Sequence, residues 1–201
     1  MSSESIEEPR SPQRELPRCA WVTDDPLYQR YHDEEWGRPE YDPQKLYELL
    51  VLEAFQAGLS WITILRKREA FRRAFLNFQP ERVANFGERD VERLLTDASI
   101  IRHRGKIRAA MVAAQAWLRL EEDHPGGFSS FIWDIVGGEP RINHWRSARE
   151  VPATTPEAER LSRRLRKEGF QFIGPTTAYA FMQAAGLVND HQLDCFCRSK
   201  G

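Results

Sequence analysis

Capping signals cut the chain into short helical lengths, and they recur from Asp42 to Gly186. Asp42-Pro43 places an N-cap residue before a proline at the first helical position, which predicts a helix through KLYELLVLEAFQAG. Gly58 then ends that helix and Ser60 caps the next, WITILRKREAFRRAF. PERVANF and DVERLLTDA predict shorter helical pieces. GKIRAAMVAAQAWLRLEE is the longest amphipathic stretch, with Ile107, Met111, Ala114 and Leu118 on one face. FSSFIWDIV is another short apolar piece. Thr155-Pro156 opens EAERLSRRLRKE, which Gly169 ends, and Gly174-Pro175 opens TTAYAFMQAAG. Alternating strand patterns are scarce, and only QFI and RIN suggest short extended pieces. The expected class is all-α, with many short helices.

At 201 residues the chain fits one domain with a substantial core. Residues 1–17 are rich in Ser, Pro and Glu and read as a disordered acidic tail, leaving 18–201 as a single domain. No stretch reaches the length of a membrane span and the start lacks an apolar signal segment, so no membrane partner is expected. Three cysteines, Cys19, Cys195 and Cys197, argue against a disulfide scaffold and for a reducing, cytoplasmic compartment. The formal charge is −1; the first fifteen residues carry −2 of it, which leaves the remainder at +1. Attraction to a polyanion would therefore be local. A monomer is the default expectation.

Within VLEAFQAGLSW, Glu53 sits in an otherwise apolar run, and a buried carboxylate needs a cation or hydrogen-bond donors. Trp21, Tyr28, Tyr31, Trp36 and Trp61 surround it in sequence. Singly, each reads as core, and Glu53 alone reads equally as the partner of an arginine or a capping N–H. Together they suit a planar cationic ligand, because the rings offer cation–π attraction and the carboxylate accepts N–H donors.

HQLDC places His191 and Cys195 four residues apart, on one face if the segment is helical; Cys19 and His32 supply the same pair of donors near the other end. A Cys₂His₂ set is complete for tetrahedral zinc and leaves no open position, which points to structure rather than catalysis. The spacing matches no zinc-finger pattern, and the same cysteines also read as small buried apolar residues. Cys197 is off the His191 face and is the weaker donor.

GFQFIGPTTAYAFMQAAG joins a helix end, a tight loop and a helix start, whose free N–H groups suit a phosphate. The same segment also reads as an ordinary helix corner packed through Phe170, Phe172 and Phe181. Of the basic runs, RKREAFRR and SRRLRKEG read as solvated helix faces, whereas RHRGK, from Arg102 to Lys106, lies at a helix junction where side chains reach a phosphate.

The stretches RCAWV, DPLYQRYHDEEWG, LEAFQAGLSWITIL, IIRHRGKI, GFQFIGPTTAYAFMQAAGLVNDH and the closing C-F-C, in this order from Arg18 to Cys197, closely resemble 3-methyladenine DNA glycosylase I of the helix-hairpin-helix superfamily. The resemblance implies a two-lobed helical glycosylase fold with a helix-hairpin-helix element and a structural zinc on Cys19, His32, His191 and Cys195. It implies a catalytic, base-binding Glu53, with Tyr28, Tyr31, Trp36 and Trp61 around the base. The hairpin falls on Phe172 to Ala178, so Gly174, Thr176 and Thr177, with Arg102 and Arg104, are the expected DNA contacts. The implied activity is monofunctional base excision without a lyase step. Its substrate is 3-methyladenine in double-stranded alkylated DNA, and its products are the free base and an abasic site. Members often carry Gly after the pocket Glu, where this chain has Ala54, and a methyl there is expected to tighten the pocket. The superfamily's catalytic Asp after the hairpin is absent from this family, so Asp190, in that neighbourhood, is not assigned the role. The competing readings are a non-catalytic, zinc-stabilised module that recognises DNA damage, and a glycosylase for another alkylated purine.

Overall fold

In the computed structural model, residues 16–198 are described. The acidic tail expected over residues 1–17 lies outside them apart from Leu16 and Pro17, and the Pro17 carbonyl accepts from Phe196 N at 3.0 Å.

Side-chain caps set four of the helix starts among the described residues. Asp25 caps α1 (Pro26–Glu34) through Leu27 N, and Asp42 caps α2 (Pro43–Gln56) through Gln44 N and Lys45 N. Ser60 precedes α3 (Trp61–Ala74), but its hydroxyl bonds Thr63 Oγ1 at 2.8 Å instead of a backbone N–H. Two shorter helices, α4 (Pro80–Val83) and α5 (Glu88–Thr96), lead to α6 (Arg104–Asp123), which His103 caps through Lys106 N. Then come α7 (Gly127–Trp133) and α8 (Pro156–Lys167), the latter capped by Thr155. The last helix among the described residues is α9 (Pro175–Ala184).

Helix α2 lies at the centre, packed against α3, α6, α7 and α9. Its residues Leu46, Tyr47, Leu50, Leu52 and Phe55 are fully buried or nearly so. On α6 the buried stripe differs from the sequence expectation. Ile107 and Ala114 are buried, but Met111 and Leu118 are only half-buried, and Ala110, Ala113 and Trp117 take their place. Small side chains let α2 approach closely enough for Tyr47 Oη to donate to the Ala110 carbonyl at 2.8 Å.

Of the two extended pieces expected, only RIN forms a strand. β1 (Arg141–Ile142) pairs in parallel with β2 (Val188–Asn189). QFI is instead the turn between α8 and α9, with Phe172 at φ +59°. HQLDC, whose His191 and Cys195 would share a face on a helix, forms a turn after β2, closed by Cys195 N donating to Gln192 O at 2.9 Å. No helix among the described residues is long and apolar enough to cross a membrane.

Candidate functional site

Glu53 lines a cavity of about 340 Å³, a volume ordinary for a small-molecule site. Tyr28, Tyr31, Trp36 and Trp61, the four rings expected around it, all line this cavity. Helix α1 brings Tyr28 and Tyr31, the turn after it brings Trp36, α2 brings Glu53, and the first residue of α3 is Trp61. The rings support one another: the Tyr31 and Trp61 centroids are 5.5 Å apart and the Trp21 and Trp36 centroids 5.0 Å.

Glu53 is 3% exposed, and its Oε2 is buried without a hydrogen-bond partner among the described residues. No arginine among the described residues pairs with it. Arg68 of α3, which feels the charge of Tyr31, is bonded to Glu35 at 2.9 Å. Burial pushes the Glu53 carboxyl up to about 8, so at neutral pH the acid holds its proton. Trp61 Nε1 is a second buried polar atom left without a partner. An acceptor and a donor stripped of water, within the lining of one aromatic cavity, are built for a ligand with complementary polar edges.

Several lining residues escaped the sequence reading. Trp21, a neighbouring ring in sequence, is part of the lining, and so are Gln56, Gln183, Gln192, Ala148 and Val151. Most arrive from loops or helices far along the chain, and the only local signal was Gln56, one helical turn beyond Glu53. Ala54 runs against expectation. Its methyl does not face the cavity but a narrow gap on the other side of α2, beside Ala110 and Ile173, because successive helical residues point about 100° apart. Asp190 also lines the cavity, yet its oxygens are saturated: they accept from Tyr179 Oη at 2.6 Å, Gln183 Nε2 and Asn143 Nδ2 at 2.7 Å, and Trp145 Nε1 at 2.8 Å. These bonds make Asp190 a knot tying the 143–151 loop to α9, with no lone pair left over for a water.

Beside the cavity, which Cys19 also lines, the first and last described segments of the chain meet. The donor atoms of Cys19, His32, His191 and Cys195 lie within 4.8 Å of one another, and all four side chains are buried. Cys195 Sγ is 3.4 Å from His32 Nε2 and 3.5 Å from His191 Nδ1, and Cys19 Sγ is 3.5 Å from His191 Nδ1. The Cys19 thiol, with the two imidazoles, holds the Cys195 thiol well below the ordinary thiol range. The outward ring nitrogens are engaged as well: His32 Nδ1 meets Asp33 at 2.8 Å, and His191 Nε2 meets the Trp36 carbonyl at 3.0 Å. Oriented donors of this kind form the outer layer of a metal site. Tetrahedral ligands at zinc bond lengths are separated by about 3.3–3.8 Å, which matches the contacts seen. Cys197 lies 4.0 Å from His32 Nδ1, on the Asp33 side of the cluster.

On the surface, α8, a tight turn and α9 form a hairpin. Gly169 at φ +102° ends α8, and Gly174 precedes α9 with no side-chain cap. Pro175 has no N–H, so the open donors of the first turn belong to Thr176, which is exposed, and Thr177, which is half-buried. Phe170 and Phe181 are buried as a packed corner requires, but Phe172 is 40% exposed at the tip. Arg102 is exposed at the junction before α6. Arg104 is exposed too, but it pairs with Glu88 at 3.0 Å and Glu92 at 2.7 Å.

Comparison with known proteins agrees with this geometry. The family model described as methyladenine glycosylase matches residues 21–198. DNA-3-methyladenine glycosylase 1 of Escherichia coli (strain K12) is 50% identical over 182 residues, 90% of this chain and 97% of the relative. The DNA-3-methyladenine glycosylase of Haemophilus influenzae is 47% identical over the same length and covers 98% of its own chain. Among solved structures, a crystal structure of 3-methyladenine DNA glycosylase I superposes with a TM-score of 0.88 at 52% identity, covering 90% of this chain and 99% of the other. That of Staphylococcus aureus, solved to explain 3-methyladenine recognition, gives 0.87 at 42% identity, covering 90% and 96%. Matched along nearly its whole folded length in sequence and in structure, the chain belongs to the methyladenine glycosylase family.

Proposed function

We propose that this protein is a monofunctional base-excision repair glycosylase that hydrolyses the N-glycosidic bond of 3-methyladenine in alkylated duplex DNA. The observation that carries the reading is the buried, unpartnered carboxylate of Glu53 inside an aromatic cavity. Methylation at N3 makes adenine cationic. Such a base needs no general acid to leave: water adds its oxygen to C1′, the glycosidic bonding pair goes to the base, and a proton passes to solvent. The base departs neutral and the sugar keeps a hydroxyl, with no lyase step.

The protein's work is extrusion, recognition and positioning. A positively charged purine beside Glu53 favours the ionised carboxylate, so a lesion brings out the charge that burial suppresses. Glu53 accepts a hydrogen bond from the base edge while Trp61 and a tyrosine face stack against it. Normal adenine is neutral and gains less from both contacts. The hairpin fits the helix-hairpin-helix element of a two-lobed glycosylase, with Gly174, Thr176 and Thr177 offering N–H groups to phosphates and Arg102 adding charge. Arg104 joins them only by leaving Glu88 and Glu92.

The Cys19, His32, His191 and Cys195 donors fit a structural zinc, which would tie the segment carrying Tyr28 and Tyr31 to the C-terminal turn. Four protein donors leave the ion no open coordination position, so no step of hydrolysis is assigned to it.

The test is incubation of the pure protein with methylated duplex DNA and identification of the bases set free. 3-Methyladenine release is expected. In Glu53→Gln it should slow roughly ten- to a hundredfold, as for a lost charge-assisted hydrogen bond of about 1.5–3 kcal/mol. Release of no base would leave a damage-binding module, and release of a different methylated purine would reassign the substrate. Unchanged release by a stable Glu53→Gln protein would remove Glu53 from the mechanism.

A further inference from the structure

Lys106 is the one residue of the RHRGK run that turns inward. It is 8% exposed, and its Nζ donates to the Phe55 carbonyl at 3.0 Å and the Ala57 carbonyl at 2.8 Å. Both carbonyls belong to the C-terminal end of α2, where helix geometry leaves acceptors without partners. The last turn does not close on itself: Leu59 N reaches the Gln56 carbonyl instead, and Gly58 at φ +85° swings the chain away toward α3. Gln56 and Trp61, which flank this loop, both line the base cavity. A cation at this end of a helix also meets the negative pole of its dipole.

The same turn of α6 touches the hairpin. His103, whose Nδ1 accepts from Lys106 N at 3.2 Å, holds its ring 5.9 Å from that of Phe172 in an edge-on contact. Between them the backbone of Gly105 approaches both rings closely: a Cβ there would lie 3.1 Å from His103 Cε1 and 3.4 Å from Phe172 Cζ. Phe172 holds φ +59°, a conformation an aromatic residue adopts only when its surroundings impose it. One helical turn thus contacts the hairpin tip on one side and the pocket rim on the other.

We infer that Lys106 is a positioning residue: it ties the end of α2 to the first turn of α6, and so fixes the pocket rim from Gln56 to Trp61 relative to the hairpin tip at Phe172. Lys106 acts on the geometry of the pocket and contacts neither base nor phosphate. The inference rests on the glycosylase reading only for its effect on catalysis.

The experiment compares full-length wild type, Lys106→Met and Lys106→Gln by three measurements: amide hydrogen exchange over residues 57–61, single-turnover release from methylated duplex at saturating protein, and the salt dependence of binding to unmethylated duplex. For Lys106→Met, exchange at 57–61 is expected to quicken at least tenfold and release to slow at least tenfold. Duplex affinity and its salt slope should stay at the wild-type values. Lys106→Gln, which keeps an N–H donor, should recover part of both losses. Weaker duplex binding with a shallower salt slope would make Lys106 a phosphate contact and overturn the inference. Unchanged exchange would overturn it, and so would unchanged release alongside faster exchange. If wild type itself released no base, the glycosylase reading would fail, while hydrogen exchange would still decide whether Lys106 holds the loop.

Discussion

Replacing Glu53 by glutamine should make the protein more stable while it disables the pocket. The acid is buried with one oxygen unpartnered, and its pKa is raised from the ordinary 4.5 to about 8. Between those values the native state holds a proton that the unfolded chain has released. Native stability is therefore highest at low pH and falls as pH rises through this window, by about 1.4 kcal/mol per pH unit. At pH 7 the loss reaches about 3 kcal/mol, and it levels off above pH 8. Glutamine has nearly the same shape and no charge to lose, so Glu53→Gln lacks this slope. All other ionisable groups are common to the two proteins and cancel in the difference. The assay is urea unfolding of both proteins at pH 5, 6, 7 and 8. The stability advantage of Glu53→Gln should grow with pH by roughly 3.5 kcal/mol across the series. At about 2–4 °C per kcal/mol for a chain of this size, the same trend would appear in melting temperature. Parallel pH profiles for the two proteins would refute the reasoning, since Glu53 would then titrate alike in the folded and unfolded states. A stabilising substitution that slows base release would mark the carboxylate as a group kept for function at a cost to the fold.

Elemental analysis of the purified protein should find about one zinc per chain, and Cys195→Ala should reduce it to a small fraction; a fully metal-free wild type with unchanged melting temperature would remove the structural zinc. Gly186→Ala should destabilise by more than about 3 kcal/mol in urea unfolding, because the residue holds φ +68° and a Cβ would overlap the Arg38 carbonyl carbon at 2.2 Å. A loss below about 1 kcal/mol would mean that the backbone at Arg38 yields easily.

Helix starts were readable because their causes are local. Asp42 and Thr155 accept bonds from N–H groups two or three residues away, and a following proline fixes the backbone in the helical region. The base pocket was readable for a different reason: Glu53 stands out as a carboxylate in an apolar run. The pocket assignments for Tyr28, Tyr31, Trp36 and Trp61, however, came from the family resemblance, since spacing alone left them as core residues.

By itself, then, the sequence determined a helical protein, most of its helix boundaries and a carboxylate in need of a partner. Its family motifs added the pocket rings and the four proposed metal donors. Tertiary structure alone decided whether that partner exists, because nothing within hydrogen-bonding range of Glu53 Oε2 is set by its neighbours in sequence. It also decided that His191 and Cys195 converge through a turn after β2 rather than along a helix, that Ala54 faces away from the cavity, and that Arg104 is held by Glu88 and Glu92. Lys106 shows the difference most plainly. In sequence it is one more cation in a basic run; in the fold its ammonium group is buried against two helix-end carbonyls from 50 residues earlier. Capping and periodicity act over a few residues along the chain, whereas the partner of a buried polar atom is chosen by whichever distant segment the packing brings beside it.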